Sequence, residues 1–198
     1  MPAAAQEEDT QAWLNVSAGG ALEDATSLTL DGSLRWREDR IGGEQQTVRL
    51  TIMREIAEGV RIGGGGGIFE TQGGATELRP HQELTLTSGR VSARTRLEER
   101  FFDGADRMEL RFRQLVRYTQ PIGKRSELSI DGEYLGLLQT RERAPAGPRD
   151  EWRARSIVST DVSESLTLGL GYLLIYTPRS EEPDRITHIP QGHVTLHF

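Results

Sequence analysis

Two neighbouring stretches concentrate the ionisable chemistry of this chain. In "RVSARTRLEERF", Arg94, Arg96, Glu98 and Arg100 recur at every second position, and in "RMELRFRQLVRY" so do Arg107, Glu109, Arg111 and Arg113. Guanidinium groups offer planar forks that bind carboxylates in pairs of hydrogen bonds. A run of them facing a run of glutamates can serve as an anion site, a selectivity filter or a network of ion pairs that fills space. Asp31, Arg35, Arg49, Glu77, His81, Glu83, Asp131 and Glu133 fall on the matching face of their own segments and belong to the same set.

Other chemistries have weaker support. Ser88, Ser156, Ser159, His81 and Glu83 could supply a Ser–His–acid hydrolase, but their spacing does not require one. The run Gly63 to Gly67 lacks the Lys-Ser/Thr of a phosphate loop, and its flanks "VRI" and "IFE" read as strand. There glycine lets a sheet bend or leaves room for bulky side chains opposite. His193 and His197 share a face, but four strand residues separate them by roughly 13 Å, too far for one metal ion. No cofactor or metal is expected. With 30 acidic and 24 basic residues the net charge is -6, and no nucleic-acid footprint is visible. The chain has no cysteine, so disulfides and thiolate chemistry are excluded.

The elements that must carry these residues have a period of two nearly throughout. "SLTLDGSLRW" sets Leu28, Leu30, Leu34 and Trp36 against Thr29, Asp31, Ser33 and Arg35. "SLTLGLGYLLIY" sets leucines and tyrosines against glycines. Helical periodicity competes only briefly, at Met53 to Ala57. Eleven strands follow, over 11–19, 26–37, 45–56, 59–70, 75–87, 90–102, 106–119, 125–139, 149–160, 164–177 and 187–198. Tight turns ("EG", "SG", "PIG", "DVSE") alternate with longer loops ("EDRIGGEQ", "QGGAT", "RERAPAGP", "PRSEEPDR").

Only 35 % of residues are hydrophobic, and no apolar run is long enough for a transmembrane helix. A β-barrel makes no such demand. A soluble sandwich would bury Met108, Leu110 and Phe112, whereas a membrane barrel turns them to lipid and the arginines to the lumen. Mixed charges at similar depth, charge-free opposite faces, and aromatics near strand ends (Trp36, Phe101, Tyr118, Phe198) favour the barrel. The expected fold is an all-β, antiparallel transmembrane barrel of ten or twelve strands, because bacterial single-chain barrels have even numbers. The last strand, "HVTLHF", is expected to close against the region of "AWLNVS", since an open edge in lipid leaves backbone groups unpaired. "AAAQ" at Ala3 to Gln6 is either the end of a trimmed leader, the favoured reading, or part of a plain tail. Residues 1–10 are expected as a disordered tail and 11–198 as one barrel domain.

The segments "AWLNVS", "SLTLDGSLRWR", "LRPHQELTL" with "TRLEERF", "RMELRFRQLVRY" and the terminal strand together resemble an uncharacterised family of proteobacterial outer-membrane barrels, a domain of unknown function. The resemblance spans Gln11 to Phe198 and implies an outer-membrane location and a barrel, but no activity. Phe198 resembles the signal by which the barrel assembly machinery recognises its clients. The expected partners are that machinery and outer-membrane lipids, with the protein monomeric. The expected role is structural or envelope-associated, with a lumen occluded by paired charges. The alternatives are a narrow anion-preferring channel or small-ligand binding barrel, and an outer-membrane lipid-modifying hydrolase.

Overall fold

The computed structural model describes residues 6–38, 43–142, 150–180 and 182–198. Met1 to Ala5, with all of the "AAAQ" leader candidate but Gln6, parts of "EDRIGGEQ" and "PRSEEPDR", and most of "RERAPAGP" lie outside them. Twelve strands occur in chain order: β1 (Glu7–Thr10), β2 (Ala12–Glu23), β3 (Thr26–Trp36), β4 (Gln45–Ala57), β5 (Val60–Thr71), β6 (Glu77–Ser88), β7 (Val91–Phe102), β8 (Glu109–Pro121), β9 (Ser126–Gln139), β10 (Glu151–Asp161), β11 (Leu166–Thr177) and β12 (Arg185–His197). Met53 to Ala57, the brief helical ambiguity, continues β4 as strand.

From β2 to β12 each strand pairs antiparallel with its neighbour in sequence, and β12 returns to β2 to close a single sheet. Closure is parallel, from Gln191 opposite Trp13 to His197 opposite Gly19. β1 extends it in the same register, Glu7 opposite Arg185 and Thr10 opposite His188. β1 and β2 are therefore one stave interrupted at Gln11. The twelve strands make eleven staves around the wall, and an odd number of alternating staves leaves the first and last pointing the same way. A parallel seam is the geometric consequence. The acidic stretch expected as tail is strand from Glu7 onward, because Arg185 to His188 would otherwise present an unpaired edge. The chain's last amide donates to Gly19 O at 3.3 Å, so pairing persists to Phe198.

The interior and exterior are inverted relative to a soluble domain. Leu170 is 77 % exposed on the outer surface, while Glu98 inside is 1 % exposed. Leu30, Leu50, Ile62, Leu78, Val116 and Val158 likewise project outward. Trp36, Phe101, Tyr134, Trp152 and Tyr176 stand on the outer surface towards the long-loop end, with Tyr134 and Trp152 rings 4.7 Å apart. Tyr176 reaches into the β11–β12 connection, where its hydroxyl donates to Asp184 at 2.5 Å. That bond and the Arg179 backbone N–H hold the exposed Asp184 carboxyl below its ordinary pKa.

The glycine run shapes the wall. A Cβ on Gly65 would lie 1.9 Å from the Leu50 carbonyl oxygen of β4, and one on Gly63 would lie 2.0 Å from that of Ile52. β5 presses against β4 more closely than any side chain permits.

Candidate functional site

Strand pairing brings the charged residues into shared clusters. Glu98 on β7 stands opposite Arg111 on β8, and Arg96 opposite Arg113. Two opposed arginines repel, and their neighbours resolve the conflict. Glu98 accepts from Arg111 and Arg113, each at 2.8 Å, with Arg96 at 3.7 Å. Glu133 on β9 accepts a fork from Arg113 at 2.8 Å and a bond from Arg94 at 2.7 Å. Glu83 on β6 takes Arg96 at 2.5 Å. At the long-loop end Glu77 accepts two bonds each from Arg79 (2.6 and 2.7 Å) and Arg100 (2.6 and 3.0 Å), and Arg100 also bonds Glu109. Desolvating an ion costs several kcal/mol unless partners and hydrogen bonds compensate, and Glu77, Glu83, Glu98 and Glu133 are each held by guanidinium groups from more than one strand or by a two-pronged fork.

Asp31 and Arg49 form a separate fork at 3.0 and 2.8 Å. His81 is buried, with Nε2 3.4 Å from Thr51 Oγ1. Among the described residues no serine bonds it: Ser159 donates to Glu127, and Ser156 lies exposed. Among the described residues Arg35 bonds neutral groups, Ser33 Oγ at 3.0 Å and Gln45 Oε1 at 2.9 Å. Arg107 is not brought to the lumen. It precedes β8, is exposed, and donates to the carbonyls of Thr140 and Glu142. Among the described residues no three His, Asp or Glu side chains converge on a metal position.

Residues not singled out from the sequence join the interior. Arg117 and Arg155 both donate to Asp131 at 2.9 Å, and Arg153 pairs with Glu151 and lies 3.9 Å from Glu133. "EWRARS" carries the same alternation as the stretches that were recognised, so the signal was present. Trp13 and Gln191, also inward, had no such signal.

The far side of the lumen is lightly charged. β11 contributes Gly169 and Gly171, over which Ile157 and His193 pack, and β12 and β2 contribute Thr195, Asn15 and Ser17. A cavity of about 460 Å³ results towards the long-loop end, bordered among the described residues by ten arginines and three carboxylates, Asp31, Asp131 and Glu133. Another of about 490 Å³ lies at the short-turn end, beside Arg117, Lys124 and Arg125, and shares His193 and Thr195 with the first. Two of these carboxylates sit deeper than their partners: the Asp131 and Glu133 side chains are 4 % and 5 % exposed, against 22 % for Arg155 and 23 % for Arg94, while Asp31 is as exposed as Arg49. What the cavity meets is mainly guanidinium, with Asp31 the most accessible of these carboxylates.

A closed sheet with an apolar exterior and a charged interior is one of the two backbone arrangements that a bilayer tolerates. The molecule is an outer-membrane β-barrel of the bacterial type. The chain belongs to a family described as protein of unknown function (DUF2490), whose model matches residues 10–187. The solved structure of the NanC porin, in a rhombohedral crystal form, is similar to it with a TM-score of 0.57 and 8 % sequence identity, over 80 % of this chain and 78 % of that one. At that identity the likeness is one of fold. No curated protein matches the chain.

Proposed function

We propose that the barrel is a narrow, anion-preferring conduit across the outer membrane. The observation that carries this reading is the excess of arginine on the long-loop cavity, where ten arginines and three carboxylates border it among the described residues and Asp131 and Glu133 lie against the wall. Such a surface concentrates anions and repels cations, and low-dielectric walls strengthen its field. The porin-like fold is compatible with passage, and the two cavities argue against a lumen filled throughout by ion pairs.

Proteoliposomes carrying the purified chain test it by release of trapped solutes. Small anions are expected to leave several-fold faster than cations of equal size. Faster cation release would contradict the proposal, and release of neither would return the barrel to a structural role. The same reading takes the protein as a monomer delivered by the barrel assembly machinery through its terminal strand. Deleting Phe198 is expected to lower outer-membrane levels while changing little in protein already folded in detergent. Unchanged levels would count against the assembly signal.

A further inference from the structure

One arginine on the cavity stands apart. Among the described residues Arg35 has no carboxylate partner, and its guanidinium lies 4.2 Å from the centroid of the Trp13 ring. The indole is itself fixed, since its N–H donates to Gln11 Oε1 at 3.0 Å. Across the parallel seam the residue opposite Trp13 is Gln191. Gln191 borders the same cavity and is 4 % exposed, yet its Oε1 has no hydrogen-bond partner. Its other neighbour, on β11, is Gly171, which brings no side chain of its own to the amide. A buried amide oxygen ordinarily has a hydrogen-bond partner, so the position favours a donor brought from the cavity.

We propose that Arg35, Trp13 and Gln191 form a binding site for a small oxyanion, a carboxylate or phosphate that also carries a hydroxyl. The Arg35 fork takes the oxyanion, stacked and oriented by the indole. Gln191 Oε1 accepts from the hydroxyl. The three residues lie side by side on adjacent staves, in the order Gln191, Trp13, Arg35. A cavity of about 460 Å³ accommodates such a molecule. The site rests on the anion-preferring reading of the lumen, and adds a place where the passing anion is held.

The test uses the full chain refolded in detergent with Trp36→Phe and Trp152→Phe, which leaves Trp13 as the one tryptophan of three. Lactate and inorganic phosphate are titrated against its fluorescence, with acetate as a carboxylate lacking the hydroxyl. Saturable binding of lactate or phosphate is expected, and the tighter of the two identifies the oxyanion. Arg35→Gln should weaken it at least about tenfold, Arg35→Lys by less, and Arg155→Gln, on the same cavity but paired with Asp131, by under about threefold. Gln191→Leu should abolish the preference for lactate over acetate and serves if Arg35→Gln fails to fold. Absence of saturable binding, or equal losses in Arg35→Gln and Arg155→Gln, would overturn the site. Anion preference in proteoliposomes should survive Arg35→Gln, because nine other arginines border the cavity. If the unaltered barrel prefers cations, the broader reading fails; if it prefers anions but Arg35→Gln binds normally, only this site does.

Discussion

The wall built by β6 to β10 and the seam where β12 meets β2 face each other across one lumen and are held together differently. On the charged wall, cross-strand forks centred on Glu77, Glu98 and Glu133 tie successive strands to one another. At the seam the side-chain links are slight: Asn15 Nδ2 reaches Gly192 O at 3.4 Å and Ser17 Oγ donates to Thr195 Oγ1 at 3.1 Å. There the backbone ladder carries the register, in the parallel pairing that is somewhat weaker per residue. One wall supplies charge and rigidity, and the other supplies room. A lumen charged on all sides would be plugged; one with small residues on all sides would have no preference among solutes.

The comparison breaks most visibly at Glu98. Glu98→Ala leaves Arg111 and Arg113 without their shared carboxylate, and a loss of about 3–5 kcal/mol is expected, read by denaturant unfolding in detergent or lipid. A loss below about 1 kcal/mol would mean that the cluster is hydrated and loosely held. From the lipid side, Leu170→Arg near the seam should cost about 2–4 kcal/mol at mid-membrane depth in the same assay, and a neutral result would place that face in water. Gly65→Ala forces a Cβ against the Leu50 carbonyl and should cost about 1–3 kcal/mol. Gly66→Ala meets nothing closer than 4.0 Å and should cost far less. At the seam, Ser17→Ala should cost only about 1 kcal/mol. Cysteines at positions 16 and 194, which the parallel register places opposite, should cross-link under mild oxidation, while 16 with 196 should not.

These contrasts also explain what could be read in the sequence. Alternation located the strands, because a wall between lipid and a charged lumen imposes period two on nearly every segment. It placed Arg94, Arg96, Glu98 and Arg113 on the interior without any knowledge of pairing. Alternation cannot set register, so Arg35 and Arg107 looked alike, although one stacks on Trp13 and the other precedes its strand. Nor could it show the eleventh stave joining the first in parallel. Glu7 to Thr10 are too acidic to read as strand, and only the exposed edge of β12 makes them one. The glycine run was legible as a bend, but not how closely β5 approaches β4.

The central claim is that arginine, rather than carboxylate, faces the lumen's solutes. Its most direct test is the reversal potential of the purified barrel in a planar bilayer under a potassium chloride gradient. The account predicts a potential displaced towards that of chloride, with a shift towards neutrality when Arg49 and Arg155 are both replaced by Gln. A potential displaced towards that of potassium would contradict it.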